Sequence, residues 1–389
     1  MGAEDGRLMP SLPRWNLSVG AVAFWLATFP LVGHAQDGGV TAGTASGGGA
    51  SSRGSGSSLG GSGGPLVPPP PPSPPGVLRH ARVVGDTTVQ AMIMASPDEG
   101  DQARAAADEA FAEFARVMDS VRGPAGALEA INRQGAVAPV PVGPEALLLL
   151  QEALRVCQLS ENALDPTGAI YDALWPFETP GFNQSPPAEE LARRATLVDC
   201  RGVVVDGAGQ TVALKRPGMR VGLHDLPRGL ALDRAMTVLR GKGFGDAILF
   251  AGGDLVVSGH KAGKRWMVGV QDPRGAGHFA ALPVAGGAVF TTADYEHSFM
   301  ERGRRMHSIL DPRTGLPARG VRSVTVLAPT GAEAAALSRA AFVLGPDKGM
   351  KFLERLPQVD AVMVDDRNRV TVTRRLEKVI KHRPPTDGP

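Results

Sequence analysis

The sequence predicts an α+β fold, a layered mixed fold in which packed helices cover mostly antiparallel sheets. Three observations carry this. Short β-branched stretches recur along the chain, several of them joined through glycine turns. Between them, apolar residues at three- and four-residue spacing mark helices. Finally, much of the glycine and proline excess lies before residue 77, although the 389-residue chain holds 50 glycines and 33 prolines.

Each element can be justified in chain order. "RVVGDTTVQAMIMA" alternates and reads as a strand. "DEGDQARAAADEAFAEFARVMDSV" reads as a long helix, acidic at its start, with Phe111 and Phe114 on one face. "PVGPEALLLLQEALRVCQLS" is a second helix, with Pro144 suited to its first turn. Two strands flank the hairpin signal "DGAGQ". "LPRGLALDRAMTVLRGKG" is a helix closed by glycines, and it runs into "DAILFAGGDLVVSG", a buried strand with a Gly-Gly turn. "RWMVGVQDP", "HFAALPVAGGAVFTT" and "VRSVTVLAP" are further strands, "GAEAAALSRAAFVLG" is a short apolar helix, and "AVMVDDRNRVTVT" is a closing hairpin.

The chain divides into four parts. Residues 1–35 resemble an export signal: a weakly basic start, the apolar run "LSVGAVAFWLATFPLVG" and small residues before Gln36. Read the other way, the run is an uncleaved membrane anchor, though Pro30 breaks it. Residues 36–76 form a Gly/Ser-rich and then Pro-rich spacer that cannot bury a core. Residues 77–375 are the folded domain and 376–389 a charged tail. The formal charge of +2 gives no case for nucleic acid or for an anionic membrane surface. The chain has two cysteines, Cys157 and Cys200, whose pairing the sequence leaves open. It carries no phosphate-loop lysine motif, no dinucleotide glycine fingerprint and no cysteine–histidine cluster.

Several polar strings are more specific than a fold needs. "ENALDPTGAIYDALWPF" holds Asp165 and Thr167, "FAGGDL" holds Gly252, Gly253 and Asp254, "TTADYEHSF" holds Asp294 and Tyr295, and "MHSILDPRTGLP" holds His307, Ser308, Asp311 and Thr314. Taken singly, each is also an ordinary turn sequence. In order they resemble the FAD:protein FMN transferase family, the ApbE-like proteins. The matching strings are "RVMDSVRGPAGALEAINRQG", "LSENALDPTGAIYDALWPF", "RGLALDRAMTVLRGKGFGDAILFAGGDL", "VFTTADYEHSF", "HSILDPRTGLP", "SVTVLAPTGAEAAALSRAAFVLG" and "VDAVMVDD".

The resemblance implies an ApbE-like fold and an exported, periplasmic or envelope enzyme. Such an enzyme moves FMN from FAD to a threonine or serine of an exported acceptor protein, with magnesium bound and AMP released. It implies that Asn132, Asp165, Thr167, Arg228, Gly252, Gly253, Asp254, Asp294, Tyr295 and Arg339 belong to the flavin site, and His307, Ser308 and Asp311 to the catalytic one. It also implies a metal held by the backbone carbonyl near Ala163 and by two side chains four residues apart on one helix face.

At those two positions this chain has Ala335 and Arg339. Neither offers the oxygen that magnesium requires. Arg339 either faces the metal's place and pairs with the FAD diphosphate, or pairs locally. The family's histidine position is Ser308 here, with His307 one place earlier, and a one-residue shift turns a strand side chain to the other face. In "GLHDLPRG" a family aspartate is Gly222, a glycine is Asp225 and a lysine is Arg228, while His224 is either a new base or structural. The alternative to an active transferase is therefore a catalytically degenerate FAD-binding relative, and beyond that a module keeping only the fold.

Overall fold

The computed structural model describes residues 76–388. The expected export signal and nearly all of the spacer lie outside the described residues. The described part is built on an eight-stranded sheet of β1 (Gly76–Val84), β2 (Thr87–Ala95), β3 (Ala247–Ala251), β4 (Asp254–Ser258), β5 (Gly286–Ala293), β6 (Val321–Ala328), β7 (Asp360–Asp365) and β8 (Val370–Val372). The strands neighbour one another in chain order, and each adjacent pair is antiparallel. "RVVGDTTVQAMIMA" is thus not one strand. Gly85, at φ +61°, turns it into the hairpin β1–β2. "DAILFAGGDLVVSG" is likewise the hairpin β3–β4, turned by Gly252 and Gly253 at φ +57° and +86°. "HFAALPVAGGAVFTT" also divides, because His278–Val284 joins a separate small sheet with Trp266–Gln271.

Among the described residues seven α-helices accompany this frame: α1 (Gly100–Arg122), α2 (Ala127–Gln134), α3 (Pro144–Leu159), α4 (Ala188–Ala195), α5 (Leu226–Gly241), α6 (Gly331–Leu344) and α7 (Pro346–Glu354). Helix α1 meets β1 and β2, α5 meets β3 and β4, α6 meets β5 and β6, and α7 meets β7. The burial of α1 follows its spacing: Ala103, Ala107, Ala110, Phe111, Phe114, Val117 and Val121 are all inside. Helix α6 is apolar almost all round because it packs against α3, α5, α7 and the sheet.

Two contacts fix α6 against α5. A Cβ on Gly229 would stand 2.3 Å from the carbonyl carbon of Gly331, so the backbones meet where only glycine fits. The N–H of Gly331 donates to the Asp233 carboxylate at 2.9 Å, and Glu333 N–H to the Thr330 hydroxyl at 3.3 Å, which caps the helix. The expected charged tail does not leave the fold at Arg375. Leu376 is buried, Lys381–His382 pairs with Ala280–Ala281, and Thr386 donates to Asp272. Among the described residues, no helix is long and apolar enough to cross a membrane.

Candidate functional site

The chain after α3 makes a sharp turn, with Glu161 and Asn162 both in the left-handed region at φ +54° and +63°. This delivers Ala163 and Leu164 into the interior. Cys157, near the end of α3, and Cys200 form a disulfide with sulfurs 2.17 Å apart, which closes the question the sequence left open. Asp165 then caps the 3₁₀ helix Pro166–Leu174. It accepts from Thr167 N–H at 2.8 Å, Thr167 Oγ1 at 2.6 Å and Cys200 N–H at 2.9 Å. Thr167 Oγ1 in turn accepts from Asp199 N–H. Asp165 and Thr167, expected at the flavin, thus tie this helix to the Asp199–Cys200 turn.

Beside this segment lies a cleft of about 930 Å³. Arg122, Arg133, Arg194 and Arg220 line it, against the carboxylates of Glu129 and Asp172. Asn132 also lines it and clamps the far wall, donating to Val221 O at 2.9 Å and accepting from Val221 N–H at 2.7 Å. A smaller cavity of about 10 Å³ lies behind, lined by Ala163, Asp165, Tyr171, Asp172, His224 and Arg339, among others. Asp172 and His224 line both spaces.

Arg339 is 7% exposed, and its Nη2–H donates to the carbonyl of Ser308 at 3.2 Å. Burial lowers its pKa, opposed by Asp225 and Asp172, yet a guanidinium stays protonated. Asp172 is exposed at the cleft, and partial desolvation against the wall raises its carboxyl, an effect that Arg339, Arg220 and Arg122 reduce. His224 stands at φ +44°, in the left-handed region. Burial and then the Arg339 charge push its imidazole far below the usual range, so it is neutral near pH 7. For Asp225, burial raises the carboxyl, but the Arg228 and Arg339 charges outweigh it and the net shift is downward.

Other expected site residues form clusters of their own. Arg228 bridges Asp225 at 3.0 Å and Asp254 at 2.5 Å, and lies over Gly252. Asp254 also accepts from Thr291 N–H. Asp294 is held in a two-bond ion pair with Arg274 at 2.7 and 2.6 Å. Tyr295 is half-buried, and burial raises its phenol. Two expected catalytic groups are engaged locally. The Asp311 carboxylate holds Arg313 through two bonds, and Thr314 Oγ1 turns back on Asp311 O. His307 is 3% exposed, its Nε2–H donating to Ala318 O while Nδ1 accepts from Ile309 N–H. Both ring nitrogens are used within the fold. The "DPRTG" turn serves instead as a packing platform, with Tyr171 OH donating to Pro312 O and Trp175 Nε1–H to Gly315 O.

The residues do not fit a divalent cation at the expected place. Ala335 presents a methyl group and Arg339 only N–H donors, so the Ala163 carbonyl lacks side-chain oxygen partners on α6. Among the described residues, the cluster Cys157, Asp165 and Cys200 has metal-ligand spacing, but its sulfurs are bonded to each other. Sequence reasoning missed Asp172 and the arginines of the cleft. Asp172 follows Asp165 by seven residues in a string already singled out, and Arg122 and Arg133 both lie within another, "RVMDSVRGPAGALEAINRQG".

The sequence profile of the ApbE family matches residues 85–363. The chain is 34% identical over 263 residues to a FAD:protein FMN transferase of Treponema pallidum, covering 63% of this chain and 72% of that protein. It is 30% identical over 225 residues to one of Haemophilus influenzae, covering 56% of this chain and 65% of that protein. The crystal structure of the ApbE protein of Thermotoga maritima superposes with a TM-score of 0.69 at 27% identity, over 78% of this chain and 99% of that one.

Proposed function

Because the chain belongs to the ApbE family, we propose that it is an exported FAD:protein FMN transferase that takes FAD into the arginine-lined cleft. The observation that carries this is the cleft: about 930 Å³, four arginines against two carboxylates, opening toward a buried guanidinium. Its volume and charge suit a dinucleotide diphosphate. The Cys157–Cys200 disulfide supports an oxidising compartment, as export requires.

In the transfer, a threonine or serine hydroxyl of the acceptor protein attacks the phosphorus on the FMN side of the diphosphate. The bond from that phosphorus to the bridging oxygen breaks, and AMP leaves with the electron pair. Asp172 takes the hydroxyl proton: it lines both spaces, is exposed at the cleft where the acceptor hydroxyl would arrive, and its basicity is shifted upward. Ser308 stands where the family has histidine, and His307 has no nitrogen to spare. One observation favours a second reading, FAD binding without transfer. Ala335, Arg339 and Ser308 together remove the oxygen ligands and imidazole that the resemblance implies.

The full chain, mixed with FAD and an exported acceptor domain, separates the readings by covalent flavin fluorescence in a denaturing gel. A fluorescent acceptor is the expected result. A dark acceptor with FAD retained leaves the second reading, and no FAD binding overturns both. Asp172→Asn is expected to slow transfer by about 10²–10⁴ while FAD affinity holds. The upward shift of the Asp172 carboxyl moves the acid limb of wild-type transfer up from an ordinary aspartate's, with activity lost as pH falls through it. The Asn variant lacks that limb.

A further inference from the structure

A buried cation with no ion-pair partner is costly, and proteins rarely retain one without a use. Arg339 is such a cation. Among the described residues no carboxylate stands at ion-pair distance from it, and its Nη2–H donates to a neutral carbonyl, that of Ser308. Asp172 and Asp225 act on it from farther away. It lines the small cavity together with Ala163, and Asp172 and His224 stand between that cavity and the basic cleft.

We propose that the Arg339 guanidinium is a fixed cation that receives the diphosphate of the dinucleotide, so that FAD binding in this chain needs no divalent metal. The inference rests on the reading of the cleft as the FAD site. A guanidinium presents a planar fork of donors that matches phosphate oxygens, and it is always charged. Its place is fixed at two points: the start of α6, where Gly229 and Asp233 of α5 hold Gly331, and the Ser308 carbonyl. The charges facing it are the carboxylates of Asp172 and Asp225. Arg228 partly neutralises Asp225, at 3.0 Å. His224 is uncharged near pH 7 and adds no repulsion. A cavity of about 10 Å³ holds little more than a water. Seating a phosphate against Arg339 therefore requires the Asp172 and His224 side chains to turn aside toward the cleft.

The test measures FAD, ADP and riboflavin binding to the full chain by fluorescence titration, in EDTA and in magnesium. FAD and ADP are expected to bind equally well in both. Arg339→Met is expected to weaken FAD and ADP by about ten- to a hundredfold and to leave riboflavin unchanged, since riboflavin has no phosphate. The melting temperature of the ligand-free Met variant is expected to hold or rise, which a merely structural arginine would not allow. If the Met variant does not fold, Arg339→Lys keeps the charge without the fork, and a loss of about three- to tenfold is expected. Pairing Ala335→Asp with Arg339→Thr restores two oxygen donors one turn apart, and FAD binding is then expected to depend on magnesium. Wild-type FAD binding that collapses in EDTA, or unchanged FAD affinity in the Arg339 variants, overturns the proposal. Absence of any FAD binding by the wild type overturns the reading of the cleft instead.

Discussion

Arg274 and Arg339 are both buried guanidiniums, and they differ in what faces them. Arg274 sits in the turn after Trp266–Gln271 and grips Asp294 at the end of β5 through two bonds, with the two side chains 8% and 10% exposed. Arg339 has a single carbonyl at hydrogen-bond distance and an internal cavity beside it. The first is a paired electrostatic unit, with both Nη donors on the Asp294 carboxylate and only its Nε–H left without a partner among the described residues. The second is open on the ligand side. Identical chemistry at similar burial thus serves structure in one region and recognition in the other, and the partner decides which.

Truncating each arginine is the direct way to break this comparison. Arg274→Met leaves Asp294 buried without its counter-charge and is expected to cost about 3–5 kcal/mol of stability. Arg339→Met strands no such partner and is expected to cost little in the ligand-free protein. Urea denaturation of both variants measures the difference, and equal losses would erase the distinction. The disulfide bears on the same contrast, because it anchors the turn that brings Ala163 to the cavity. Cys157 and Cys200 are 43 residues apart. Replacing both by serine is expected to cost about 4 kcal/mol by the loop-entropy relation. The melting temperature of that variant, against the oxidised parent, checks it.

The fold was largely legible from local pattern. "DGAGQ", "AGGDL" and "VDDRNRV" each carry their own turn chemistry, and the hairpins at Asp206, Gly252 and Asp366 form where those residues stand. The single strand expected at residues 82–95 proved to be two because Gly-Asp was read as part of the alternation rather than as its interruption. The small helices α2, α4 and α7 went unread, being only eight or nine residues long. At the site, the family resemblance implied that Arg339 stands near Ala163, and helical register added only that positions 335 and 339 share one face. Register says nothing about convergence. Asp172 and Arg220 are 48 positions apart yet line one cleft, and that follows from packing alone. The roles of Asp165, Asp294 and Asp311 were obscure for the same reason: each is bonded to a neighbour, so its side chain is already engaged within the protein.

His307 sharpens the contrast from within one loop, because Ser308 turns its carbonyl to Arg339 while His307 turns its ring into the core against Phe342. Burial pushes the His307 imidazole from 6.5 down to about 4, a shift that Asp294 and the Ala318 carbonyl partly oppose. The sign follows from the depressed folded value. The unfolded chain takes up this proton first, so the stability due to the neutral ring is complete above about pH 6.5 and is lost as pH falls toward 4. The loss is about 3 kcal/mol. A protonated ring would also turn the Nδ1 acceptor of Ile309 N–H into a donor, removing a bond that holds the loop. Denaturant unfolding of wild type and His307→Asn between pH 7 and pH 4 isolates the ring's share, with the variant expected to lose less stability over that interval. Parallel curves would mean that the ring is solvated, and His307 would then return as a candidate base beside Asp172.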